Sequence, residues 1–155
     1  INKISSKILV DADACPNSVK KMLFRASIRT KIELILIANQ PIQYPNVDSI
    51  KNLVVEKVFD AADNKILELL NKDDLVITSD IPLAADVIKN GVSALNFRGE
   101  VFTADNIKSR LNMRDFMETM RSSGEHSGRS KPLAKTDLQK FANALDRYIT
   151  KHKNI

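Results

Sequence analysis

Ile8-Leu9-Val10-Asp11-Ala12-Asp13-Ala14-Cys15-Pro16 is the stretch that decides how this chain is read. Three apolar, β-prone residues run into two aspartates two positions apart. A proline then stands where a helix can begin, since its missing N–H costs nothing in a first helical turn. A buried strand that delivers carboxylates to its own C-terminal end is how open α/β sheets build ligand sites.

The flanking sequence repeats the alternation. A strand over 7–13 precedes a helix reaching about Thr30, with Val19, Met22, Leu23 and Ala26 at helical spacing. Residues 33–38 are an almost unbroken apolar run, which predicts burial on both faces and hence a parallel sheet. A proline-containing loop over 39–46 leads to a third strand over 53–58 and a helix over 61–71. Residues 74–80 repeat the opening design of apolar strand and terminal aspartate, ahead of a helix over 81–89 stopped by Asn90-Gly91. A short strand over 92–96 follows, then two helical patterns, 103–111 and 113–122. Periodicity fails over 122–130, and Thr136 reads as the cap of a last helix over 137–150 with Leu138, Phe141, Leu145 and Ile149 on one stripe.

Strands separated by helix-length segments predict an α/β fold of three layers, α/β/α. Its sheet is expected to be mainly parallel and of about five strands. The expected organisation is one domain over 1–123, a flexible loop over 124–136 and a C-terminal helix over 137–155 packing on the same domain. Strand order is not readable from periodicity.

Composition narrows the function classes. At 155 residues, 43% hydrophobic and 28% charged, the chain is long enough for one well-buried core. No apolar run approaches the roughly 18 residues of a membrane span. Residues 1–7 are polar and unlike a signal peptide, and the missing initiator Met points to processing or truncation. A single cysteine excludes an intramolecular disulfide framework, so a cytoplasmic protein is expected. The net charge is +5, and residues 124–155 carry seven Lys/Arg against three acids. Such a surplus is either a solvated basic helix or a surface that attracts phosphate backbones. With no Trp and two Tyr, composition offers little for base stacking.

Acids stand after three strands: Asp11 and Asp13, Asp60 and Asp63, and Asp80. In a parallel sheet those ends share one edge, with neighbouring strands about 4.8 Å apart. Clustered carboxylates repel one another and raise each other's pKa. Mg²⁺ or Mn²⁺ relieves that repulsion, and metal-assisted attack of water on a phosphodiester is the matching chemistry. Structural readings stand beside this one. Asp60 and Asp80 fit N-caps, Asp63 is favourable in a first helical turn, and Asp86 fits a solvated helix face. Asp11 has the least structural reason to be where it is. Cys15, before a helix N-terminus, is expected to have a lowered pKa. A Cys-x5-Arg phosphate loop fails because position 21 is Lys21, so Cys15 reads as a packing residue. His126 and His152 lack companions at metal-ligand spacing. Lys20, Lys21 and Arg25 could meet phosphates or simply form a wet helix face.

Five blocks carry a resemblance: residues 10–16, Phe59-Asp60-Ala61-Ala62-Asp63-Asn64, residues 75–84, Leu95-Asn96-Phe97-Arg98-Gly99-Glu100, and Met113-Arg114-Asp115-Phe116-Met117. Together, over residues 7–150, the chain resembles the YaiI/YqxD family of uncharacterised bacterial proteins. More distantly its layout is similar to PIN-like domains, metal-dependent nucleases that often act on RNA. That resemblance implies Asp11, Asp63 and Asp80 as metal ligands, with Asp13 assisting catalysis. It also implies Thr78 and Ser79 in a hydroxyl-x-acid signature, and the fourth strand lying beside the first. The intervening acid is aspartate here rather than the commoner glutamate, and Asp13 and Asp86 compete as fourth acid. Residues Lys20, Arg25, Arg98 and Arg114 are the expected phosphate contacts, with RNA as partner. Asp11-Ala12-Asp13 is also similar to the haloacid-dehalogenase signature, with Asp11 as nucleophile, Asp13 as acid/base and Thr78 or Ser79 as second-motif hydroxyl. A non-catalytic nucleic-acid-binding or regulatory protein is the third expectation.

Overall fold

A computed structural model describes residues 6–58, 60–122 and 132–152, with only the backbone over 114–122. In chain order the elements are β1 (Lys7–Asp11), α1 (Asn17–Thr30), β2 (Glu33–Ala38), β3 (Ile50–Val54), α2 (Ala61–Leu69), β4 (Leu75–Ile77), α3 (Ile81–Lys89), β5 (Ser93–Leu95), β6 (Val101–Phe102), α4 (Ala104–Ser122) and α5 (Lys135–His152). The six strands form one sheet in the order β3-β2-β1-β4-β5-β6, parallel except for β6.

Alternation along the strands sorts the core into two layers. Ile8, Val10, Leu34, Leu36 and Ile77 pack with Val19 and Leu23 of α1 and Phe141 and Leu145 of α5. Leu9, Ile35, Ile37 and Val76 pack with Ile66 of α2, Leu83 and Val87 of α3 and Ile107 of α4. The fold is therefore three-layer α/β/α, with α1 and α5 on one face and α2, α3 and α4 on the other. Both faces of β1, β2 and β4 are covered, which is why their sequences are apolar almost throughout.

The structure moves several expected boundaries. The first strand ends at Asp11, so Asp13 lies in the turn beyond it. The third strand occupies 50–54, not 53–58, because its ladder runs from Leu34↔Ile50 to Ala38↔Val54 and β2 stops there. The antiparallel β6, pairing Ala94 with Phe102 and Leu95 with Val101, was not expected; two residues leave no periodic trace. The patterns 103–111 and 113–122 form one helix, α4, started by a reciprocal cap. In it Asn106 N–H donates to Thr103 Oγ1 at 3.0 Å, and Thr103 N–H donates to Asn106 Oδ1 at 2.9 Å. Thr136 is not the cap of α5. The helix starts at Lys135, and Asp137 reaches back to accept the Ala134 N–H at 2.9 Å. Of the expected loop over 124–136, residues 124–131, with His126, lie outside the described residues, and its last two belong to α5.

At the edge of the sheet opposite the acids, buried Lys7 and Asp74 form an ion pair at 2.7 Å. The Lys7 and Asn71 backbone N–H groups also donate to that carboxylate, so its charge is satisfied without water. At the other end, the turn between β5 and β6 docks onto α5. Gly99 has φ +85°, and its α-carbon lies so close to α5 that a Cβ there would fall 2.4 Å from Lys140 C and Phe141 N. Only glycine meets both demands.

Candidate active site

The chain reverses its direction of travel across the sheet between β1 and β4: β2 and β3 lie to one side, β4, β5 and β6 to the other. In open α/β sheets the crevice outside the strand ends at such a switch point is the ligand site. Register places Val10 opposite Ile77 there, so Asp11 and Thr78 emerge side by side.

Thr78 is fully buried and joins the two strand ends. Its hydroxyl donates to Asp11 Oδ2 at 2.9 Å and accepts the Asp80 N–H at 3.0 Å. Asp11 is thereby held at one oxygen, leaving Oδ1 for something else. Burial raises its pKa; the Thr78 bond opposes the rise, and Asp80 and Asp13 add to it. Asp80 is the N-cap of α3, accepting the Leu83 N–H on Oδ1 at 3.0 Å. Its capping role is real and occupies one carboxylate oxygen.

Asp63 projects from the first turn of α2, the helix that packs on β1 and β2. Burial, then the charges of Asp80, Asp11, Asp60 and Asp86, push its pKa up to about 6. Asp63 thus lies in the negative field of Asp80 and Asp11, reaching it from the first turn of α2 rather than from a strand end. Asp60 sits at the N-cap position of α2 in a left-handed conformation, φ 65°, and its side chain makes no capping bond. It and Asp86 join the cluster electrostatically. Among the described residues no Lys or Arg is ion-paired with any of these acids. Nor are any three acids, histidines or cysteines close enough together to hold a metal ion directly. Mg²⁺ keeps several of its waters and needs only one or two protein carboxylates. The donor set here, all oxygen and lacking a counter-cation, suits that mode of binding.

Asp13 lies beyond the strand end, near enough for its charge to act on Asp11. It is exposed, and its Oδ2 accepts the Asn39 N–H at 2.9 Å, tying the turn after β1 to the end of β2. Ser79 is likewise committed, accepting the Phe97 N–H at 3.3 Å. Cys15 is buried, and burial pushes its thiol up to about 12, the reverse of the lowering expected from its place before α1. It is inert packing.

The expected phosphate contacts lie on separate elements. Arg98 donates to Asp137 Oδ2 at 2.7 Å, fastening the β5–β6 turn to α5. Lys20 and Arg25 lie on α1, and the Arg114 side chain lies outside the described residues. Sequence reasoning missed Arg110, which grips Glu100 and stands over the Phe102 ring at 5.9 Å. With Pro16, Ser79, Asn96 and Arg98, these two residues border a cleft of about 670 Å³ beside the switch point. Nothing short of β6 being recognised would have placed Arg110 there.

Comparison with known proteins gives a family but not a chemistry. Residues 9–151 match the family model described as "Uncharacterized BCR, YaiI/YqxD family". A UPF0178 protein of Shewanella amazonensis is 54% identical over 145 residues, covering 94% of this chain and 97% of that protein. Another, from Alkalilimnicola ehrlichii, is 52% identical over 146 residues, with 94% and 99% covered. A third, from Pseudoalteromonas translucida, is 55% identical over 148 residues, with 95% and 98% covered. No solved structure matches the chain. No described helix is long and apolar enough to cross a membrane.

Proposed function

We propose, for a chain that belongs to the YaiI/YqxD family, that the β1/β4 crevice is a Mg²⁺- or Mn²⁺-dependent phosphodiesterase site acting on nucleic acid, with RNA as the substrate. The observation carrying this reading is the placement of Asp11 and Asp80 side by side at the β1/β4 switch point, joined through Thr78, with Asp63 feeling both charges and no described Lys or Arg ion-paired with any of the three. The strand order, with β4 beside β1, also agrees with a PIN-like layout.

Asp11, Asp63 and Asp80 are the residues that would hold the cation. When bound, the cation supplies charge neutralisation at the scissile phosphate and makes water a better nucleophile. Thr78 fixes the Asp11 carboxylate, so that one oxygen always faces the crevice. The clustered charges that push the Asp63 pKa up to about 6 are those a bound cation would offset, and the proton of the attacking water passes to solvent. The water oxygen bonds to phosphorus, the P–O ester bond breaks, and the leaving oxygen is protonated from solvent. Asp13 serves by fixing the turn after β1 through the Asn39 amide.

A second reading, a nucleic-acid-binding protein without hydrolysis, draws on the wide spacing of the acids. The phosphatase reading needs Asp13 as acid/base, and its engagement with the Asn39 amide gives that reading no support. Purified protein incubated with single-stranded RNA and Mn²⁺ separates them. Hydrolysis lost in Asp11→Asn supports the nuclease, whereas unchanged hydrolysis in that variant, or none by wild type with either metal, refutes it.

A further inference from the structure

The loop after β2 and the first two turns of α1 border two adjoining open hollows of about 400 and 600 Å³, the second a shallow one. Lys21, Phe24, Ile42 and Gln43 line both; Lys20 borders the first and Tyr44 the second. No carboxylate lines either hollow among the described residues. The Lys21 side of the groove is exposed and the Tyr44 ring is 41% exposed, so both ammonium and aromatic faces are open to a ligand. Tyr44 is thus an exposed aromatic set beside positive charge, not an isolated surface residue.

This groove is built rather than incidental. Ile42 N–H donates to Asn52 Oδ1 at 2.8 Å, and Asn52 Nδ2 donates to Leu36 O at 2.9 Å, so the loop wall is pinned to the sheet. It is also continuous with the site. The loop begins at Asn39, whose amide binds Asp13, and α1 begins four residues after Asp13. A chain lying in the groove is therefore bordered by elements that meet at the turn carrying Asp13, two residues beyond Asp11.

We infer that this groove holds single-stranded RNA as it runs into the acidic site, an assignment that rests on the nucleic-acid reading above. Lys20 and Lys21 pair with successive backbone phosphates, while Phe24 and Tyr44 present faces to unpaired bases. From Asn17 to Phe24 the helix is about 10 Å long, which fits a few nucleotides and no more. Ammonium–phosphate pairing with aromatic faces is the chemistry of sequence-tolerant single-strand binding. A duplex hides its base faces and forfeits half of it.

The test uses the full chain carrying Asp11→Asn, to prevent turnover, and a labelled 12-nucleotide single-stranded RNA read by fluorescence anisotropy. Lys20→Ala/Lys21→Ala should weaken binding and reduce the salt slope by about 1.4, at about 0.7 per phosphate contact on a single strand. Tyr44→Leu, which keeps apolar bulk, should weaken the single strand about tenfold and leave a duplex of equal length unaffected. The inference is overturned if the parent binds no RNA, or if the lysine variant keeps both affinity and slope. It is equally overturned if duplex binds as tightly as single strand, or if an acidic peptide binds in its place. Parallel hydrolysis by the chain with Asp11 intact keeps the two ideas apart. Hydrolysis with an unaltered lysine variant sinks the groove alone, and groove-dependent binding without hydrolysis sinks the nuclease alone.

Discussion

Thr78→Val removes the hydroxyl that joins the two strand ends while nearly keeping its volume. In the wild type that hydroxyl donates to Asp11 Oδ2 at 2.9 Å and accepts the Asp80 N–H at 3.0 Å, at a residue with no exposure. Asp80 is exposed, so water replaces the lost acceptor for its N–H. Asp11 is half-buried, and it loses a hydrogen bond to a charged group, worth about 1.5–3 kcal/mol. At about 2–4 °C per kcal/mol for a chain of this size, Tm should fall by roughly 3–12 °C. The loss depends on pH. The Thr78 bond holds down a carboxyl pKa that burial raises, so its removal penalises mainly the ionised form. The destabilisation should be full at pH 8, where Asp11 is charged, and should shrink by pH 4 as the group protonates. Circular dichroism melts at both pH values measure this, with Thr78→Ser as the hydroxyl-retaining control. An unchanged Tm at pH 8, or the same drop at both pH values, would refute the reasoning.

Three other outcomes follow from the geometry. Gly99→Ala places a Cβ 2.4 Å from the backbone of α5 at φ +85°, so it should cost about 2–4 kcal/mol in a urea melt and raise hydrogen exchange selectively along α5. Asp74→Ala leaves the buried Lys7 ammonium unpaired and should cost about 3–5 kcal/mol; a loss below about 1 kcal/mol would mean the pair is immaterial. Asp63→Asn should raise Tm at pH 7.5 but not at pH 3.5. A carboxyl raised from 3.8 to about 6 disfavours the fold only when ionised, so its penalty is absent below pH 3.8, grows to about pH 6 and is complete above it.

Much of this could be read from the residues. Apolar runs at 8–10, 34–38 and 75–77 give a parallel sheet because burial on both faces leaves no room for polar alternation. The strand-end positions of Asp11 and Asp80 put them on one edge, and the PIN-like resemblance anticipated that β4 lies beside β1. Position within an element was less legible. The β-prone residues 53–55 straddle the end of β3, because the extent of a parallel strand is set by its partner. β6 is too short to show a period, and with it went the cleft of Arg110 and Glu100. Arg98 reads as a free cation in sequence, yet folding sets it against Asp137, 39 residues on. Cys15 misled because a helix N-terminus lowers a thiol pKa only when burial does not outweigh it, and here it does. That Phe24 and Tyr44 border one hollow is a tertiary fact and leaves no mark on composition.

Crystals soaked in Mn²⁺ at pH 7.5 and examined by anomalous diffraction test directly whether the carboxylates at the ends of β1 and β4, with Asp63, hold a divalent cation. A peak bounded by the Asp11, Asp63 and Asp80 carboxylates is expected, absent from Asp11→Asn crystals soaked alongside. No peak at that edge of the sheet, with the crevice open to solvent, would contradict that binding.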